Sequence, residues 1–300
     1  MTKNRPLFFS LAGCAAVCLI LRIVLKLTAI DPQTGFYEGG GALPPLFSIL
    51  LGASVLALLL LGFLLGRKAR GAGISFGIPL RVLAFATGVL LFCWTLLHWR
   101  DIAEVFSADM ALPPKLLSCI FALLFRIVLP WISAYLFLRI AGFGPFTISC
   151  EYRTNEPVPV LPENVFDLEG GLRTLRMNGW LMLLPLVWEI GELLSSFMAY
   201  TAIRNVSDQM LTIVMLLLMA PFLLAHARIL SGVGAEKGVR QLLLFGPAFA
   251  LLAIAVPGGM IAAALAGKTV ALGLSPAAAV FYFVFGLYAA VLCLSLKRPE

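Results

Sequence analysis

Leu46–Leu65 reads LFSILLGASVLALLLLGFLL, twenty residues without a charged side chain. A helix of about 20 apolar residues crosses the roughly 30 Å hydrocarbon core of a bilayer, so this stretch predicts a transmembrane span. The same pattern repeats outward from it. Eight stretches qualify, at 7–29, 45–65, 80–98, 115–140, 178–203, 210–229, 241–266 and 271–296, and the whole of 241–296 carries only Lys268. Composition agrees: of 300 residues, 61% are hydrophobic and 12% charged, against roughly 45–50% and about 25% in soluble domains. So few charges cannot coat a water-facing surface, and the apolar excess must face lipid. The fold class predicted is all-α, a polytopic transmembrane bundle of about eight spans forming a single integral membrane domain over 1–300.

Loop charges orient such a bundle, because Lys and Arg favour the cytoplasmic side. With eight spans and an internal N-terminus, the inside segments hold Lys3, Arg5, Arg67, Lys68, Arg70, Arg81, Arg153, Arg173, Arg176, Arg228, Lys237, Arg240, Lys297 and Arg298. The outside segments hold Arg100, Lys115, Arg204 and Lys268. Fourteen against four places both termini in the cytoplasm. The net charge of +7 is thus an orientation signal and a contact to anionic headgroups, not a nucleic-acid surface.

The first outside loop contains Asp31-Pro32-Gln33-Thr34-Gly35-Phe36-Tyr37. Proline after aspartate starts a tight turn, and the two aromatics suit the headgroup layer. A first span followed by D-P-x-T-G-F-Y resembles a group of uncharacterised bacterial multi-span membrane proteins. The resemblance covers this loop and the hydropathy profile. It implies a multi-pass place in the bacterial cytoplasmic membrane and no particular activity.

The one long loop, 142–176, opens with Gly142, Gly144 and Pro145 and continues through Pro157, Pro159 and Pro162. It closes with Val165, Leu168, Leu172 and Leu175 at helical spacing, which predicts a short interfacial helix broken at Gly170-Gly171 on the cytoplasmic side. Ala42-Leu43-Pro44-Pro45 and Ala111-Leu112-Pro113-Pro114 precede the second and fourth spans, where proline suits a first helical turn.

Several strings look chemical without the context their chemistry needs. Gly73-Ile74-Ser75-Phe76-Gly77 fits G-x-S-x-G, but that elbow works on a strand-turn-helix beside an acid and a histidine. Gly267-Lys268-Thr269 ends like a phosphate loop, yet its first glycine would fall at Ala262. Leu11-Ala12-Gly13-Cys14 has the form of a lipoprotein site, but the chain stays apolar beyond Cys14. The six cysteines lie mostly inside apolar runs and read as small hydrophobes. His98 and His226 map to opposite membrane faces and cannot share a metal. No catalytic, cofactor or metal residues are predicted.

The sharpest signal is ionisable residues inside the spans, which usually face the bundle interior and find partners. Glu189 and Glu192 are three residues apart, on one helical face. Arg126 lies near the middle of the fourth span, and Arg22 and Lys26 sit toward the outer end of the first. The predicted network pairs Arg126 with Glu189 or Glu192, or bridges it to both, with Arg22 completing it through Glu192 and Lys26 snorkelling to water. It serves either to fix helix register or to form an ion path. Pro257-Gly258-Gly259 and Pro276 predict interruptions of the last two spans, either ordinary kinks, the commoner case, or the broken helices of many transporter sites. These features favour a transport-type protein (a permease, exporter or transport subunit) acting on a small ionic solute. The alternatives are a non-catalytic scaffold or sensor bound to a partner membrane subunit, and an intramembrane lipid-modifying enzyme. The lipid bilayer is the one partner composition demands.

Overall fold

Glycine, proline and charge cut the apolar sequence into segments, and each segment must satisfy its own backbone groups in hydrocarbon, so each forms a helix. The computed structural model describes residues 5–30, 37, 41–67, 69, 73–74, 77–97, 120–121, 123–142, 165–168, 171–174, 177–199, 206–268 and 274–297. Within these, seven helices are long and apolar enough to cross a membrane. They are α1 (Arg5–Thr28), α2 (Leu43–Arg67), α3 (Ile78–Leu97), α5 (Gly179–Ala199), α6 (Val206–Ser231), α7 (Ala235–Leu265) and α8 (Pro276–Leu294). Between α3 and α5 lies α4 (Leu129–Ile140), preceded by a π turn at Leu124–Val128. Residues Leu123–Ile140 are helical throughout, about 27 Å at 1.5 Å per residue, so this composite segment also reaches across the bilayer.

Contacts between helix ends fix the parity of the crossings. Two-residue strands β1 (Gly73–Ile74) and β4 (Leu296–Lys297) pair antiparallel, tying the end of α8 to the segment between α2 and α3. Arg81 Nε at the start of α3 donates to the Ala141 carbonyl after α4, at 3.1 Å. The Met177 amide before α5 donates to the Leu230 carbonyl at the end of α6, at 3.0 Å. All of these lie at the near end of the bundle, where α1 begins. At the far end, Lys268 Nζ after α7 donates to the Leu27 carbonyl of α1, at 2.7 Å. Gln209 Nε2 in α6 donates to the Ser196 carbonyl of α5, at 3.1 Å. Among the described residues, the seven spans and the composite segment satisfy these contacts when α1 starts and α8 finishes at the same end.

α7 is the most buried span and packs against α1, α2, α6 and α8, while α8 carries the packing on to α3. Gly62 lets α2 lie directly on the α7 backbone: a Cβ there would overlap the Leu243 carbonyl and reach Leu244 Cα at 3.0 Å. α8 threads an aromatic core in which Phe281 stacks on Trp94 while Phe285 and Tyr288 meet Phe222 and Phe137 edge to face. Outward-facing Ile49, Leu56, Leu60, Phe63 and Leu64 on α2, with Phe9 and Ile20 on α1, form the surface offered to acyl chains.

Two local expectations are corrected. The interfacial helix expected at Val165–Leu175 is a hairpin: β2 (Val165–Leu168) pairs antiparallel with β3 (Gly171–Thr174), joining Leu168 to Gly171. A helical spacing of four residues did not outweigh a glycine-containing reversal between two short apolar runs. The breaks expected at Pro257-Gly258-Gly259 and Pro276 are absent. α7 runs unbroken through Pro247 and Pro257, and its glycines serve close packing. Pro276 opens α8, where the Ser275 hydroxyl caps by accepting from the Ala278 amide at 3.2 Å.

Candidate functional site

The ionisable residues at depth divide into two separate groups. The first joins the far parts of α1 and α6. Asp208, in the first turn of α6, accepts from Arg22 Nη2 on one carboxylate oxygen and from Lys26 Nζ on the other. All three side chains are buried. The positive end of the α6 dipole favours a carboxylate at this position, and the Phe47 ring of α2 lies 5.2 Å from the Arg22 guanidinium carbon. Arg22 Nη1 also reaches the Tyr37 hydroxyl at 3.4 Å. Gly259 makes the approach workable, since a Cβ there would come within 2.5 Å of Arg22 Cγ. Thus the expected link from Arg22 to Glu192 is not made, and Lys26 does not reach water. Both cations turn inward to Asp208. With both cations sharing one buried carboxylate, this group ties α1 to α6.

The second group surrounds a cavity of about 250 Å³ between α3, the fourth span and α5. Trp94 and Thr95 come from α3, Arg126 and Pro130 from the fourth span, and Trp188, Glu192 and Ser195 from α5. Glu189 lies one turn from Glu192, is fully buried, and leaves both oxygens without a hydrogen-bond partner. It lies within electrostatic reach of Glu192, and the buried Tyr282 of α8 feels both carboxylates. Trp188 Nε1 is likewise buried without an acceptor.

The expected Arg126–Glu189 ion pair is not formed, and local packing explains why. Gly191 on α5 receives the Phe125 ring so closely that a Cβ there would overlap it. Phe125 therefore faces α5, and the adjacent Arg126 turns toward the exposed edge of its span. Arg126 and Glu192 nevertheless meet as walls of one cavity. Arg126 is exposed while lining that cavity, so the cavity communicates with the bundle exterior at its side chain.

The first group occupies the far half of the bundle, and the second extends from its middle toward the far end. Trp94 and Thr95 fall in the last turn of α3, while Glu189 stands at the centre of α5 and Ser195 in its last third. His98 lies outside the described residues. His226 is buried in the aromatic core, with Nε2 at 2.7 Å from the Tyr288 hydroxyl, and contributes to neither group.

Sequence reasoning missed Asp208 and the two indole walls. Asp208 stands just before the predicted sixth span at Met210, whereas the helix begins at Val206. The indoles carried no signal beyond hydrophobicity. No family model, curated protein or solved structure matches the chain.

Proposed function

We propose that this multi-pass membrane protein is of the transport type, taking a small ionic solute through the cavity between α3, the fourth span and α5. The observation that supports the reading is the cavity's composition: a guanidinium, a carboxylate and two hydroxyls among indole walls, inside a span region otherwise built of hydrocarbon side chains. Charged groups inside membrane segments mark ion and substrate pathways more often than lipid-facing surface. Arg126 and Glu192 both line this space rather than the lipid-facing surface of α2. The scaffold reading needs no such space.

Flux measurements test this. Removing a charge-assisted hydrogen bond to a solute costs about 1.5–3 kcal/mol, so Glu192→Ala or Arg126→Ala is expected to lower solute flux on the order of 10–100-fold at unchanged protein level. Comparative metabolite accumulation in cells carrying each variant reads the effect. Should both variants handle every measured solute as the parent does, while folded protein accumulates normally, the transport reading fails.

The near end of the bundle faces the cytoplasm in this reading, supported by the fourteen-to-four distribution of basic loop residues. The resemblance of the D-P-x-T-G-F-Y loop points to the same bacterial cytoplasmic membrane. In a background with the native cysteines replaced, an impermeant thiol reagent on intact cells is expected to label Lys268→Cys. Val233→Cys, exposed between α6 and α7, should react only after permeabilisation. The reverse pattern would invert the orientation.

A further inference from the structure

The cavity asks for opposite charges from one ligand. Its cation comes from the fourth span, as Arg126, and its carboxylate from α5, as Glu192. Glu189 adds a second carboxyl one turn from Glu192, buried and with neither oxygen partnered. The indoles of Trp94 and Trp188 line the same space, and indole faces attract ammonium groups, most strongly where water is excluded. Trp188 Nε1, a buried donor without an acceptor, matches an anionic or carbonyl oxygen on the ligand. A volume of about 250 Å³ equals roughly eight waters at about 30 Å³ each, which limits the occupant to a small molecule or the polar end of a larger one.

We infer that the cavity binds a zwitterion, with an ammonium group held by Glu192 and the indoles and an anionic group held by Arg126. The inference rests on the reading of this cavity as a solute site and names its chemistry. The ammonium lies beside the Glu192 carboxylate, and the anion meets the exposed guanidinium at the opening. Such a ligand brings its own compensating charges, so neither Glu192 nor Arg126 is desolvated against an unmatched partner. The same chemistry is offered by a free zwitterionic solute and by the headgroup of an ethanolamine phospholipid entering from the far interface.

Titrations of the purified full-length protein in detergent, followed by intrinsic tryptophan fluorescence and by thermal shift, test the inference. The soluble probes are glycine betaine, β-alanine and glycerophosphoethanolamine, with choline and propionate as single-charge controls. A second arm incubates the protein with phosphatidylethanolamine or phosphatidylglycerol and detects retained lipid by native mass spectrometry. At least one zwitterion is expected to bind tenfold or more tightly than choline and propionate. Glu192→Gln should lower its affinity to that of propionate, and Arg126→Gln to that of choline. Tight soluble probes identify a free solute; retention of phosphatidylethanolamine alone identifies the headgroup.

If neither source is preferred over the single-charge controls by the parent protein, the inference is overturned whether or not the variants fold. Zwitterion binding without flux would remove the transport reading and keep this site. Flux of a singly charged solute without zwitterion preference would do the opposite.

Discussion

Asp208→Asn is expected to destabilise the folded protein by about 3–5 kcal/mol, the usual consequence of removing one partner from a buried ionic group. Asp208 is the shared acceptor for Arg22 and Lys26, so the amide leaves two buried cations facing each other. Guanidinium, even with the Phe47 face and the Tyr37 hydroxyl nearby, cannot be neutralised by losing a proton. Unfolding in detergent, followed by helical circular dichroism against denaturant, reads the loss. Replacing the whole group with apolar residues, as R22M/K26M/D208L, should recover most of it, because packed hydrophobic side chains often equal or exceed a buried ionic cluster. A single Asp208→Asn variant as stable as the parent would show that the clamp contributes nothing to stability.

Gly62→Ala is expected to destabilise by about 1–3 kcal/mol, the range for overpacking a close-packed interior. The methyl group would meet main chain, the Leu243 carbonyl and Leu244 Cα, and a backbone on the central helix cannot step aside as a side-chain tip can. Gly52 on the same helix supplies the control, since a Cβ there meets nothing within 4 Å. Gly52→Ala should be neutral or stabilising by about 0.5–1 kcal/mol, because glycine in a helix interior is less favourable than alanine. Opposite signs for two identical substitutions ten residues apart would establish the α2–α7 contact. Equal effects would refute it.

The spans were legible because hydrocarbon imposes a single strong rule, and Leu46–Leu65 obeys it without exception. Glu189 and Glu192 were legible as a shared face, and Arg126 as an element of the same region, since helical periodicity alone places them. Which charge meets which was not legible. Pairing depends on rotation about each helix axis, and the π turn at Leu124–Val128 changes that rotation without a sequence signal. Asp208 was hidden by its position: it lies among polar residues that hydropathy assigns to a loop, although helix α6 already encloses it. Gly258 and Gly259 suggested a broken helix because glycine weakens helices in water. In a packed bundle the same residues admit Leu19 and Arg22 of α1, the use small residues have between membrane helices.

The clamp also bears on how the chain enters the bilayer. Arg22 and Lys26 precede their shared carboxylate by 186 and 182 residues. At a synthesis rate of about 5–20 residues per second, α1 waits roughly 10–40 s before Asp208 exists. During that interval two cations, each costing about 2.5–3.5 kcal/mol at a helix centre, lack their counter-ion. Their placement toward the far end of α1 lets the nascent helix hold them at the headgroup boundary. Their counter-ion becomes available only once α6 is in place, so the buried position of both cations in the finished bundle depends on a helix made much later.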